Sequence, residues 1–379
     1  MKFTVQSKEL LRVLNALLKV IQKKNSIPIL DTVLLDRAED GRYTLTGSSA
    51  ENMLVMAIDI TPEAGTAFRK VCLNAQQLQA VIATLPEQPV EISVEDNYAT
   101  TIRYQGGQFN LMSQDAECYP LPASPAATRC AFSLPTAIFL PAFKSALPCS
   151  AHDEMRPQMS TVALDVSNEG VTFVACTTKM LYKYVYTHGI PFLTEGAPDM
   201  ILIPNTIVSA IEYPFRNAEV VNFSHDGRQL TLSTDDARFI IRDQEGKYPN
   251  YNSVIPKENP YHVTLPIRDL TSALKRVSLM ASDASQLVAF RKTDDDLTLT
   301  GEDIDFGTSA REVLSTADCT LPSGFAIGIR ASSILQLLGA ISTENVRMEF
   351  SDPSRPLLLK EDATNSVLIE LAMPLLLNA

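Results

Sequence analysis

Residues 73–96 read LNAQQLQAVIATLPEQPVEISVED, residues 203–226 IPNTIVSAIEYPFRNAEVVNFSHD, and residues 329–352 IRASSILQLLGAISTENVRMEFSD. The three segments align without a gap, each as a helical stretch, a turn and an alternating strand that ends in aspartate. Leu78, Val208 and Ile334 are expected to face inward, followed three residues later by Val81, Ile211 and Leu337, which is helical spacing. Asn74, Asn205 and Ser332 or Ser333 stand near the helix starts, where a side-chain oxygen can satisfy an orphan amide.

Three other segments recur in the same order at a period near 130 residues, too long for a solenoid repeat, so the copies are read as whole domains. A strand running into an amphipathic helix begins at Phe3, Phe132 and Val263, aligning Val5 with Leu134 and Leu265, Leu10 with Phe139 and Leu270, and Leu14 with Phe143 and Leu274. Threonine-rich strands begin at Tyr43, Val171 and Leu297. Strand pairs close each copy, with hairpin-type residues at Gly106-Gly107 and Asp235-Asp236, and Tyr119-Pro120 matches Tyr248-Pro249 where two copies exit into proline-rich connections. The expected organisation is α+β, three tandem copies of two helices packed on β-sheets, with domains at 1–126, 127–258 and 259–379.

The chain of 379 residues is 45% hydrophobic and 20% charged, a globular composition that excludes disorder and a collagen-like repeat. The start, MKFTVQSKELL, lacks a secretory apolar run, and no stretch approaches the ~20 apolar residues that cross a bilayer, so a cytoplasmic protein is expected. Six cysteines without CxxC or zinc-type spacing read as reduced, mostly packed thiols. The four histidines are far apart in sequence, no HExxH, GxSxG or P-loop occurs, and His152-Asp153-Glu154 is too short a run to converge on a substrate. An enzyme is therefore disfavoured, and a scaffold of repeated β-rich domains is the closer rival to a nucleic-acid protein.

Charge is segregated. The net charge is −12, yet the six expected helices (7–24, 74–84, 136–146, 205–213, 267–278 and 331–341) together carry +6. Arg12, Lys19 and Lys23 follow a spacing of seven and four residues along one helix line, and Arg268 and Lys275 repeat the seven-residue step. Neutral or basic helices within an acidic chain suggest a common surface facing a polyanion. Six helices at about 10 Å spacing would leave a hole of only about 9 Å, whereas twelve from two chains give an axis ring of about 38 Å and a hole of about 28 Å, enough for a duplex. A two-fold dimer that pairs the first copy with the partner's third closes such a ring.

These residues resemble the bacterial replicative sliding clamps, the beta subunit family of DNA polymerase III, through MKFTVQSKELL, SIPILDTVLL, the LTLTG-type strands, GKYPNYNSVIP, ENVRMEFSD and the terminal AMPLLL, so that the likeness spans essentially the whole chain. The resemblance implies a non-catalytic, ring-shaped homodimer that encircles double-stranded DNA, needs no cofactor or metal, and tethers polymerases and clamp-loader subunits through short hydrophobic peptides. The peptide pocket it implies comprises Met159, Cys176, Thr178, Leu181, Pro249, Val254, Leu371, Met373 and Pro374. It implies DNA contacts at Lys23, Lys24, His152 and Arg156, beside the helical Arg12, Lys19, Arg268 and Lys275, and a dimer contact of Phe109 and Leu111 with Leu279 and Met280. Two departures stand out. The chain has Cys176-Thr177-Thr178-Lys179-Met180-Leu181 where the family usually has a Thr-Asp-Gly-His-Arg-Leu-like run, and a branched Thr178 in place of glycine is expected to narrow the pocket or bend the strand. The tail, LLLNA, also lacks the terminal basic residue of some relatives.

Overall fold

The computed structural model describes residues 1–22, 25–121, 126–189, 191–195, 197, 200–316, 318–362 and 367–377. Six helices are present among them: α1 (Ser7–Leu17), α2 (Ala75–Ala83), α3 (Thr136–Ala146), α4 (Asn205–Phe215), α5 (Ile267–Ser278) and α6 (Ala331–Leu338). The aligned apolar positions all face the core, with Val5, Leu134, Leu265, Leu10, Phe139, Leu270, Leu14, Phe143 and Leu274 each 3% exposed or less.

The chain divides into two compact units. One comprises Met1–Leu140, Pro191–Pro198 and Thr206–Asp243; the other comprises Pro141–Ile190, Asp199–Asn205 and Gln244–Ala379. The middle repeat is shared between them because its strands join sheets begun by its neighbours.

In the first unit a ten-stranded antiparallel sheet runs from Gln114–Asp115 through Val71–Asn74, Thr32–Arg37, Tyr43–Ser48, Met53–Ala57, Ala237–Arg242, Gln229–Ser233, Val220–His225 and Cys130–Pro135 to Phe192–Leu193. Its seam is Met53–Ala57 against Ala237–Arg242, with Met53 opposite Ile240. A five-stranded sheet runs Ile60–Pro62, Lys2–Gln6, Pro89–Val94, Ala99–Tyr104, Gly107–Met112. In the second unit a nine-stranded sheet repeats the seam: Met200–Pro204, Thr161–Ser167, Gly170–Cys176, Met180–Tyr186, Leu368–Ala372, Leu357–Glu361, Asn345–Phe350, Tyr261–Pro266, Asp318–Cys319. Leu181 there faces Leu371. A four-stranded sheet runs Thr308–Leu314, Leu297–Asp303, Leu287–Lys292, Ala326–Arg330.

Helices pair in the first and third copies. α1 packs on α2, bridged by the Gln79 amide donating to Asn15 Oδ1 at 3.2 Å, and α5 packs on α6. Close helix–sheet approach uses glycine at the same strand position in two copies. A Cβ on Gly47 would lie 3.0 Å from Leu17 Cβ, and one on Gly301 would lie 2.8 Å from the Val277 carbonyl.

The structure corrects several sequence expectations. α1 ends at Leu17 rather than at residue 24, because the chain turns there through amide bonds from Val20 and Ile21 to the Leu17 carbonyl and buries both β-branched side chains. Lys19 therefore lies in a turn beyond the helix that carries Arg12; Lys23 and Lys24 lie outside the described residues. Asn74 caps α2, its side chain accepting from the Gln77 amide at 2.9 Å. Asn205 instead turns inward and donates to the Ala151 carbonyl at 2.8 Å, while α6 starts after Arg330 without a side-chain cap. Val81 is half-buried, and Ile82 takes the core position. Cys72, Cys130, Cys149 and Cys176 are buried, but Cys118 is exposed.

Among the described residues, one acidic side chain is fully buried. Glu370 is fully enclosed in the seam strand of the second unit, facing Tyr182 and Leu359, and neither carboxyl oxygen has a hydrogen-bond partner among the described residues. Burial, aided by the nearby charge of Glu361, pushes its pKa well above the ordinary carboxylate range. The folded state therefore keeps a proton that the unfolded chain releases above about pH 4.5, so stability falls as pH rises from there towards the folded pKa. Glu370→Gln removes this loss. Thermal unfolding should show the variant several degrees more stable at pH 8 and close to the parent at pH 5; an offset independent of pH would contradict the assignment.

Candidate partner, nucleic-acid and edge surfaces

Four of the nine expected pocket residues come together in the second unit. Met159, Cys176, Leu181 and Leu371 form one apolar cluster with Ala163, Val174, Leu202, Leu358, Tyr248 and Tyr251. The sheet register explains this: Ala163 faces Val174 and Leu202, Cys176 faces Leu181, and Leu181 faces Leu371 across the seam. Met159 arrives from the short 3-10 turn Pro157–Met159 that precedes strand Thr161–Ser167.

The two tyrosines were not assigned from the sequence, although the match of Tyr248-Pro249 to Tyr119-Pro120 marked one of them. Tyr251 donates to Asp165 Oδ2 at 2.6 Å, and its ring lies 5.4 Å from the Lys183 ammonium. Tyr248 is buried against Cys176, and desolvation raises the pKa of both the phenol and the thiol. This cysteine is an apolar wall rather than a reactive thiolate.

The other five expected residues lie outside that cluster. Thr178, Pro249, Val254 and Met373 are exposed, and Pro374 is half-buried. Thr178 sits in the turn closed by the Thr177 amide on the Met180 carbonyl at 2.8 Å, and it has no positive φ. The backbone at this position therefore does not demand glycine. The tail is strapped in place by the Met373 amide on the Lys179 carbonyl and the Leu375 amide on the Gly328 carbonyl, both at 2.8 Å. A side chain at Gly328 would collide with Leu375 and Leu377, so this glycine admits the tail.

The candidate DNA residues divide into two sets. Lys19, Arg268 and Lys275 are exposed and make no ion pair with another described residue. Arg12 is held by Glu9 at 2.6 Å, and Arg156 by Asp153 at 2.8 Å, which keeps the Asp153 carboxyl below its usual range. His152 is exposed beside that pair.

Each unit also has a sheet edge that ends in exposed apolar groups. In the first unit the edge strand Gly107–Met112 carries Phe109 and Leu111, both half-buried, and Met112, which is 65% exposed. Phe109 stacks on Tyr104 at 5.4 Å. In the second unit the edge strand Thr308–Leu314 follows the loop bearing Ile304 and Phe306, and Thr308 donates to the carbonyl of Met280 at 3.2 Å. Leu279 and Phe306 are 76% and 84% exposed. Ile304, Phe306 and Met112 were not singled out from sequence, since a loop phenylalanine has no periodicity to betray it.

Two family models match. Residues 1–123 match the N-terminal domain of the DNA polymerase III beta subunit, and residues 252–375 match its C-terminal domain, together more than half of the chain. The chain belongs to the DNA polymerase III beta subunit family.

The beta sliding clamp of Bacillus subtilis (strain 168) is 22% identical over 383 residues, covering 99% of each chain, and that of Staphylococcus aureus is 23% identical over 388 residues at the same coverage. Among solved structures, a DNA polymerase sliding clamp from Bacillus subtilis superposes with a TM-score of 0.88 at 21% identity over 100% of each chain. The beta subunit of Streptococcus pyogenes gives 0.89 at 20% identity over 99% of this chain and 100% of that one. The α+β fold expected from the internal repeat is thus the fold of these clamps over their whole length. No described helix is long and apolar enough to cross a membrane.

Proposed function

We propose that the chain is a DNA sliding clamp, a non-catalytic processivity subunit acting in the cytoplasm. Three clamp domains, 1–126, 127–258 and 259–379, would form half of a ring, and two chains joined head to tail would enclose duplex DNA. The observation that carries this reading is the pair of apolar sheet edges, one in each terminal repeat. An exposed edge is a template for pairing with another chain, and these two offer complementary partners: Phe109, Leu111 and Met112 for Leu279, Met280, Ile304 and Phe306. Sedimentation equilibrium at micromolar concentration tests it. A dimer is expected; a strict monomer would remove ring closure.

DNA contact in this reading is electrostatic and weak, as sliding requires. Lys19, Arg268 and Lys275 supply cations that have no ion pair among the described residues, whereas Arg12 and Arg156 are partly neutralised by their carboxylates. Each phosphate contact contributes about −0.9 to the slope of log affinity against log salt. Replacing all three of these cations with glutamine should flatten that slope by about 2 to 3 on short duplex; an unchanged slope would move the DNA surface elsewhere.

Partner polymerases and clamp-loader subunits would dock a short hydrophobic peptide on the second unit, over the Met159, Cys176, Leu181 and Leu371 cluster, with Thr178, Pro249, Val254, Met373 and Pro374 as its rim. The buried cluster supports the apolar anchor, and the exposed rim can be covered without unfolding the seam.

A further inference from the structure

The first unit builds the same arrangement a second time. Leu34 faces Thr46 and Cys72, as Ala163 faces Val174 and Leu202. Ser48 faces Met53 and Met53 faces Ile240, as Cys176 faces Leu181 and Leu181 faces Leu371. The connecting turn is repeated atom for atom. The Ser49 amide bonds the Asn52 carbonyl at 2.8 Å, as the Thr177 amide bonds the Met180 carbonyl, and each hydroxyl accepts from the amide three residues on at 3.0 Å.

Beside Ser48, Met53 and Ile240 of this arrangement, and next to the turn, the first unit holds a cavity of about 320 Å³, with Leu30, Met53, Leu121 and Ile240 among its apolar lining. That is the low end of the size of ligand pockets, enough for one or two side chains. Leu121 and Ile27 stand exposed at its mouth.

The two turns differ in charge. Glu51 occupies the position that Lys179 holds in the second unit; both are exposed, and Glu51 is the one charged residue among the described residues lining the cavity. We propose that this cavity is a second peptide-docking site, which takes an extended segment of a partner protein carrying an apolar side chain next to a lysine or arginine. The apolar lining accepts the anchor, Glu51 pairs with the neighbouring cation, and the serine and asparagine groups of the turn provide polar contacts to the backbone. The partner is thereby distinguished from one that docks beside Lys179, where an acidic flank is favoured. The proposal rests on reading the second-unit cluster as a peptide pocket.

The test uses the full chain and two fluorescein-labelled tetrapeptide amides, Lys-Leu-Phe-Lys and Glu-Leu-Phe-Glu, followed by anisotropy. The basic probe should bind saturably, lose about five- to tenfold in affinity in Glu51→Lys, where attraction becomes repulsion, and weaken in Leu121→Ser. It should be unaffected by Met373→Asp in the other unit. Unchanged affinity in Glu51→Lys, loss in Met373→Asp, or equal binding of both probes in the Met373→Asp protein would each overturn the proposal. Absence of acidic-probe binding at Met373 alongside retained basic-probe binding at Glu51 would remove the second-unit pocket and leave this site standing.

Discussion

Lysine at both Leu279 and Phe306 should weaken self-association at least about a hundredfold while leaving the fold of each chain intact. A fully buried leucine or phenylalanine contributes about 1.5–3 kcal/mol relative to exposure, and a hundredfold change in affinity corresponds to about 2.7 kcal/mol. Two such contacts, replaced by ammonium groups that resist desolvation, exceed that figure. Both residues are largely exposed in the single chain, so their loss removes nothing from its core, and the melting temperature should stay within a degree or two. Light scattering over a concentration series reads the result. A variant that remains dimeric would place the interface elsewhere, and one that unfolds would show that these side chains serve the subunit itself.

Aspartate at both Val254 and Met373 should reduce binding of the partner polymerase's hydrophobic peptide by more than tenfold, again without a change in melting temperature. Val254 is 49% and Met373 38% exposed, so the substitutions meet water in the free protein and meet the peptide in the complex. Leu371→Ala is a poorer probe. Leu371 is 2% exposed at the heart of the seam cluster, and deleting its side chain should cost about 2–5 kcal/mol of stability, so lost binding could not be separated from lost structure. Isothermal titration on both variants makes the distinction. Undiminished affinity in the Val254 and Met373 variant would refute the rim assignment.

The repeat was legible in the sequence because it is local. Leu78, Val208 and Ile334 fall inward in all three copies, at 1%, 4% and 0% exposure, since a helix of period 3.6 over a strand of period 2 leaves little freedom in which face is buried. The seams were not legible. Opposing Met53 to Ile240 and Leu181 to Leu371 pairs strands nearly two hundred residues apart, and no local pattern records such a partner. The seam is also why Leu358 joins the apolar cluster and why Glu370 is fully enclosed. α1 failed at its end for a related reason: Val20 and Ile21 continue an apolar pattern, yet packing at the glycine of Tyr43–Ser48 rewards turning them inward over another helical turn. The ion pair of Arg156 with Asp153 was not legible, because turn geometry brings that carboxylate alongside, whereas Glu9 beside Arg12 is already in the helix charge count.

Topological linkage to DNA is the central claim, and retention on a nicked circular plasmid after treatment with the cognate clamp loader tests it most directly. The protein should co-elute with the circle through gel filtration at moderate salt and be released when a single restriction cut linearises it. Release that does not depend on the cut, or equal retention on linear duplex, would contradict encirclement.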